Sequence, residues 1–260
     1  MTVLHLTVTP LAERTSLVYN EPGSQLSNGK GKGSMKQLAF LHQVPLFASL
    51  TDSELQALAD DFVPLTFRQH ETILHQGDQG EMLYLIQSGR VRIYVLGEEG
   101  QEISLRLMGP GEVFGELALI DDLPRSASAV AMEDTVVLTL PRSAYLDHLR
   151  RCPQLALNFM RTLSTRLRYT TIQAGSLAFL DVYRRVASKL LELAEGHGVA
   201  EAEGLRIAVP LTQQELATMV GATRESTNKA LAAFRRQGLI KLQRGQIVVV
   251  NPQALREYVA

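Results

Sequence analysis

Phe114-Gly115-Glu116-Leu117-Ala118-Leu119-Ile120-Asp121-Asp122-Leu123-Pro124-Arg125-Ser126-Ala127 is the stretch on which the reading of this chain turns. Strand-like segments punctuated by glycine lead into it, and a one-turn apolar helix is expected to begin at Gly115-Glu116 and run through Leu117 and Ala118. The first N–H groups of a helix lack intrahelical partners and attract anions. Arg125 follows nine residues after Glu116 and carries the planar fork that grips a phosphate bidentately. Ser126 adds a hydroxyl donor. The stretch reads as a phosphate cradle with one acid left over, and a ribose hydroxyl suits the Glu116 carboxylate. The plainer alternative makes Glu116 and Arg125 a structural ion pair at a loop.

Outward from this stretch, residues from about Val63 to Leu140 show period-two apolar patterning: Leu83 and Leu85, then Val91, Ile93 and Val95, then Ile103, Leu105 and Leu107. Glycines at 80, 89, 100, 109 and 111 mark turns at the spacing of a small all-β barrel or sandwich. The cradle sits late in this series. Its string resembles the phosphate-binding cassette of cyclic-nucleotide-binding domains, F-G-E-L-A-L followed by a spacer and P-R. The resemblance extends through Ile73–Asp78 and Gly97–Glu102 and implies a jelly-roll fold. It further implies that Arg125 holds the exocyclic phosphate oxygens, Glu116 the ribose 2′-hydroxyl, and the amides of Glu116 to Ala118 the rest of the phosphate.

Beyond the β-segment, Pro153 suits the first turn of a helix. Ala156, Met160, Leu163, Leu167, Thr170, Ala174 and Leu177 then recur at alternating steps of four and three, the heptad seam of a parallel helix pair. The alternative is a stripe packed on its own β-domain. Thr170 and Thr171 are hydroxyls in an apolar seam, costly without partners. They are followed by Ser176-Leu177-Ala178-Phe179-Leu180-Asp181-Val182, and together these strings are similar to the cyclic AMP receptor protein family of bacterial transcription factors, which also includes fumarate–nitrate regulators. The resemblance implies that the two threonines reach adenine, one from each subunit, and that the Phe179-Leu180-Asp181 joint rearranges when nucleotide binds. The competing reading has both hydroxyls bonding the carbonyl four residues back. Asp181 is placed to cap the next helix.

Leu211-Thr212-Gln213-Gln214-Glu215-Leu216 opens with a capping box, Thr212 to Glu215. Gly221 makes a tight turn, and a second helix runs from near Thr223 to near Gly238, giving a helix-turn-helix. Ile240-Lys241-Leu242 and Ile247–Val250, joined by Gln243-Arg244-Gly245-Gln246, supply a β-wing. Residues 211–245 hold six basic and two acidic residues, a local net charge of +4 in a chain of net charge −1, as a DNA-reading patch requires. Arg224, Glu225 and Lys229 lie where recognition helices meet base edges: arginine suits guanine O6/N7 and a carboxylate accepts from cytosine N4. Thr212, Gln214 and Thr223 complete the candidate DNA contacts. Thr223-Arg224-Glu225-Ser226-Thr227 is close to the family's S-R-E-T-V, which implies palindromic, TGTGA-like half-sites. Lys229 departs from the family's arginine and loses its bidentate contact, and Thr227 replaces a core valine.

At 260 residues with 45% hydrophobic and 20% charged content, the chain accommodates two globular domains. It contains no apolar run long enough to span a bilayer and no basic-then-apolar leader, so it reads as cytoplasmic. Its single cysteine, Cys152, excludes an internal disulfide and a four-cysteine iron–sulfur cluster within one chain. His70-Glu71-Thr72-Ile73-Leu74-His75 is one residue too long for a zinc-protease motif, and no metal or nucleophile–base cluster is visible, so an enzyme such as a nucleotide hydrolase using Glu116 lacks support.

The expected architecture is α+β. It comprises a flexible extension (1–35), a cyclic-nucleotide-binding jelly roll (36–150), a dimerisation helix (151–179) and a winged helix-turn-helix (180–260). Met35 is a candidate translation start. The resemblance implies a homodimer through residues 156–177, cyclic AMP as allosteric effector, double-stranded DNA as partner, and contact with RNA polymerase. Another effector, cyclic GMP or cyclic di-GMP, or none, stands as the alternative.

Overall fold

The structure, a computed structural model, describes residues 32–243 and 246–259. Helix α1 (Lys32–Leu41) begins inside the stretch expected to be a flexible extension. Gly33 and Ser34 fall in its first turn, where backbone donors lack intrahelical partners in any case and weak helix formers cost least. Residues 1–31 of that expected extension lie outside the described residues. A 3-10 turn (Pro45–Phe47) leads to α2 (Asp52–Asp61), whose start is a capping box of the Thr-x-x-Glu spacing: Glu54 N–H donates to Thr51 Oγ1, and Thr51 N–H donates to Glu54 Oε2 at 2.8 Å. Leu55 and Leu58 of α2, with Phe62 after it, enter the first core.

Eight strands follow: β1 (Val63–Phe67), β2 (Thr72–Leu74), β3 (Met82–Ser88), β4 (Val91–Leu96), β5 (Glu102–Met108), β6 (Val113–Phe114), β7 (Ser128–Ala131) and β8 (Thr135–Pro141). They form two antiparallel four-stranded sheets, ordered β1-β8-β3-β6 and β2-β7-β4-β5. Alternation puts Leu83, Leu85 and Leu138 between the sheet and the helices, and Ile86, Val91, Met108, Ala129 and Val137 between the two sheets. Ile103 and Leu105 depart from this scheme. They are 38% and 41% exposed because they line clefts, while Ser104 is buried against Thr218; a bulge opposite Ile93/Tyr94 also shifts the β4–β5 register. Short helix α3 (Leu117–Asp121) interrupts the run between β6 and β7.

Helix α4 (Arg142–Arg151) leads into α5 (Pro153–Phe179), which has Pro153 in its first turn. Leu155 and Phe159 of α5 pack into the β-domain core, and Phe159 meets Tyr145 edge-on at 5.1 Å. The heptad stripe points elsewhere: Met160 is 56% exposed, Leu167 69% and Leu177 45%. These three residues do not bury against their own β-domain, where Leu155 and Phe159 pack instead, while Ala156 and Leu163 of the stripe are half-buried.

The C-terminal unit comprises α6 (Val182–His197), β9 (Gly198–Glu201), β10 (Gly204–Ile207), α7 (Gln213–Val220), α8 (Arg224–Arg236), β11 (Ile240–Gln243), β12 (Gln246–Val249) and α9 (Pro252–Val259). Asp181 caps α6 by accepting from Arg184 N–H at 2.9 Å. Gly221, at φ +59°, ends α7 in the left-handed conformation that glycine adopts without strain, and α7 there comes close to Leu177 near the end of α5. Val186, Leu190, Leu216, Leu231 and Phe234 form the core of this unit. Thr227 is fully buried and its hydroxyl has no partner, which is the position of a core aliphatic residue bearing an added hydroxyl. The two units touch where α7 lies on β5: the buried Ser104 and Thr218 hydroxyls stand 2.8 Å apart, and Arg92 donates to Ser104 at 3.0 Å.

Candidate effector cavity and DNA-reading face

Arg125 reaches the cavity because the chain clamps it there. Its N–H donates to Asp78 O at 2.8 Å, and its carbonyl accepts from Gly77 N–H at 2.9 Å. The side chain is 5% exposed, and its guanidinium donates to the carbonyls of Gly115 and Met82, the latter at 2.8 Å. Gly115 has φ +82°, and a Cβ there would sit 2.7 Å from Arg125 Nη1. Glycine is required at 115 both for the turn and for the space Arg125 occupies. Burial pulls the Arg125 pKa below its usual value, and the nearby carboxylates of Glu116, Asp78 and Glu81 oppose this. Arginine stays charged regardless.

Glu116, 3% exposed, makes no ion pair with Arg125. Its partner is Arg166 on α5, at 2.7 Å, and Arg166 also donates to Val113 O. The structural-pair alternative thus had the wrong cation. Glu116 Oε2 and Arg166 Nε are buried without a hydrogen-bond partner, so this wall keeps unused polar capacity, and the hydroxyl of Tyr145, in the β-domain core, is likewise unpartnered. Burial, with the Glu116 charge nearby, pushes the Tyr145 phenol up, and it stays a neutral donor.

Arg125, Glu116 and Arg166 border a cavity of ≈ 200 Å³. Gly115, Glu116, Leu117, Ala118, Arg125 and Ser126 line one end, and Leu105, Arg106, Arg166, Tyr169 and Thr170 line another part of its wall. Thr170 is present, but Thr171 is not part of this wall. Both hydroxyls donate to the carbonyls four residues back, Thr170 to Arg166 at 3.0 Å and Thr171 to Leu167 at 2.9 Å. Among the charged and aromatic wall residues, Arg106, Arg166 and Tyr169 escaped the sequence reading. Arg166 had a usable signal, since it lies four residues before Thr170 and therefore on the same helix face. Arg106 and Tyr169 had none, because their neighbours are set by tertiary packing.

On the second unit, Thr212 caps α7, with Thr212 N–H donating to Glu215 Oε2 at 2.6 Å, and Gln214 is exposed beside it. Thr223 caps α8, accepting from Ser226 N–H at 3.1 Å. Arg224, Glu225 and Lys229 are exposed on the first turns of α8. Glu225 and Lys229 form an i,i+4 ion pair at 2.7 Å, which lowers the glutamate pKa and raises that of the lysine. Glu225 is thus neutralised by its own helix before any DNA arrives. Arg244 of the wing turn lies outside the described residues. Among the described residues no group of three or more His, Cys, Asp or Glu is placed to hold a metal, and no helix is long and apolar enough to cross a membrane.

Residues 64–152 match the cyclic nucleotide-binding domain family, and residues 184–258 match the Crp-like helix-turn-helix domain. Fold and site together define a transcription regulator with a cyclic-nucleotide-binding domain and a helix-turn-helix DNA-binding domain, not an enzyme. The chain is 35% identical over 215 residues to the CRP-like cAMP-activated global transcriptional regulator of Mycobacterium tuberculosis, covering 83% of this chain and 96% of the relative. It is 38% identical over 213 residues to the cyclic AMP receptor protein of Thermus thermophilus, covering 82% and 95%. Among solved structures, a CRP/FNR-family transcriptional regulator of Thermus thermophilus superposes with a TM-score of 0.65 at 30% identity, covering 76% of this chain and 98% of that one. The c-di-GMP responsive regulator CLP of Xanthomonas campestris shares the fold, with a TM-score of 0.70 at 23% identity over 76% of this chain and 99% of that one. The chain belongs to the CRP/FNR family of transcription regulators.

Proposed function

We propose that this chain is a homodimeric, cyclic-AMP-controlled regulator that binds palindromic DNA in its nucleotide-bound state. The observation that carries this reading is the convergence of the buried Arg125 fork, Gly115, Ser126 and the buried Glu116 carboxylate on one cavity. Arg125 would take the cyclic phosphate, exchanging carbonyl partners for charged oxygens. Glu116 would accept from the ribose 2′-hydroxyl through Oε2, which has no partner otherwise. The base then extends toward Thr170, beside the exposed stripe on which a second copy would pair. Two α8 helices so related would enter successive major grooves in the cytoplasm, with Arg224 and Glu225 reading bases, and the bound dimer would engage RNA polymerase. Nucleotide acts only by its differential affinity for two arrangements of the units.

Calorimetric titration of cyclic AMP into the full chain tests the reading: one site per subunit supports it, and no binding removes it. On the DNA side, Arg224→Ala is expected to cost about 1–3 kcal/mol and relax one base position, whereas Lys229→Arg is expected to sharpen the site. Selection from a random DNA pool reads both.

A second reading, cyclic GMP as effector, is favoured by Arg106. Arg106 lines the cavity, with its guanidinium held by Glu112 at 2.8 Å and 5.8 Å from the Tyr169 ring centroid. Guanine offers O6 and N7 to an arginine fork, whereas adenine presents a donor at N6. If guanine is read there, Arg106→Ala lowers cyclic GMP affinity about tenfold and leaves cyclic AMP affinity within about threefold. Equal effects on both nucleotides remove the second reading.

A further inference from the structure

Tyr169 belongs to two places at once. Its ring lines the effector cavity beside Arg166 and Thr170, and also a smaller cleft of ≈ 60 Å³ shared with Lys189 of α6 and Met219, Val220 and Gly221 of the helix-turn-helix. Its hydroxyl leaves α5 altogether. It donates to Glu192 Oε1 at 2.8 Å and accepts from Lys189 Nζ at 3.1 Å. Lys189 is 8% exposed and is paired with Glu192 at 2.7 Å. A cation this buried is held in place by its partners, because withdrawing one leaves a poorly solvated charge. Gln173, one turn after Tyr169, also leans on Glu192 at 3.5 Å. On the cavity side, the Arg106 guanidinium lies 5.8 Å from the Tyr169 ring centroid.

The other face of α6 is the core of the DNA-binding unit. Val186, Leu190 and Leu193 pack in one cluster with Leu216 of α7 and Leu231 and Phe234 of α8. A displacement of Tyr169 by a cavity occupant therefore reaches α6 through the buried Lys189 cation and its half-exposed partner Glu192, and reaches the recognition helix through a close-packed core.

We propose that Tyr169 is a positioning residue, whose hydroxyl clasp on Lys189 and Glu192 couples cavity occupancy to the orientation of the DNA-binding unit. The proposal rests on the cyclic-nucleotide reading of the cavity. The clasp spans the joint between α5 and α6 without using the Phe179-Leu180-Asp181 backbone, so the joint bends while the two helices stay connected near its hinge. Reciprocity requires that the same hydroxyl raise nucleotide affinity when DNA is bound.

Tyr169→Phe tests this, because it keeps the ring in the cavity wall and leaves the Lys189–Glu192 pair intact. DNA affinity is measured with and without nucleotide, and nucleotide affinity by calorimetry, on the full chain. The wild type is expected to gain about tenfold or more in DNA affinity on nucleotide binding. In the variant, measured at nucleotide concentrations that saturate it, that gain falls to about threefold or less. An unchanged melting temperature separates this loss from a general weakening of the fold. An undiminished gain overturns the proposal and leaves the cavity reading standing. Loss of nucleotide binding in the folded variant also overturns it, making Tyr169 a ligand contact. Failure of the wild type to bind any cyclic nucleotide overturns both.

Discussion

Arg125→Ala abolishes nucleotide binding in calorimetric titrations at concentrations where the wild type saturates. A charge-assisted hydrogen bond contributes about 1.5–3 kcal/mol, so loss of a two-pronged contact to a phosphate lowers affinity by about two to four orders of magnitude. The variant also leaves the carbonyls of Gly115 and Met82 without their donor, so its melting temperature falls as well. Arg125→Lys separates the two effects. It keeps the positive charge but cannot make two parallel contacts, and it is expected to bind weakly while melting closer to wild type. Gly115→Ala is the converse change. It leaves Arg125 in the sequence, but places a Cβ 2.7 Å from the guanidinium nitrogen at a positive φ that alanine disfavours. If Arg125→Ala binds nucleotide like wild type, the phosphate lies elsewhere and the cradle is structural.

The parts legible in the sequence were those whose physics is local. Capping boxes at Thr51/Glu54 and Thr212/Glu215, the Asp181 cap and the Gly221 turn each depend on a few consecutive residues, and each stands where its spacing put it. Glu116 and Arg125 were legible as an unusual pair of residue types at a short separation. Their actual partners were not, because Arg166 and Met82 lie 50 and 43 residues away respectively. The β5 pattern misled for a related reason. Ile103 and Leu105 alternate like core residues but are wall residues of the two clefts, and periodicity does not distinguish an apolar face turned to a core from one turned to a cavity. The Glu225–Lys229 pair follows from an i,i+4 spacing. In the proposed DNA-reading role, a glutamate paired with its own lysine repels phosphate less, and base reading by Glu225 requires that Lys229 turn away.

If the proposed dimer forms through this stripe, Leu167→Glu is expected to give monomers at micromolar concentration and to remove specific DNA binding, while leaving cyclic-nucleotide binding to each chain within reach of measurement. Leu167 is 69% exposed in the single chain and lies on the stripe with Met160 and Leu177. That stripe is too long and too regular to be chance surface: Leu155 and Phe159 bury a different face of the same helix against the β-domain. In a two-fold parallel pair each stripe residue meets its own copy, so burying one leucine from each chain stabilises by about 1.5–3 kcal/mol per copy. Glutamate at 167 removes that and sets two carboxylates against each other in an apolar seam. Analytical ultracentrifugation reads the change directly. DNA affinity falls further than the dimer constant alone implies, because two linked half-site contacts gain about two to four orders of magnitude over one. Arg168→Glu is the matched control: it makes a larger change in charge one residue on, off the stripe, and is expected to stay dimeric. If Leu167→Glu sediments as wild type, the stripe is not the dimer seam, and the two-fold relation of the recognition helices must come from another surface.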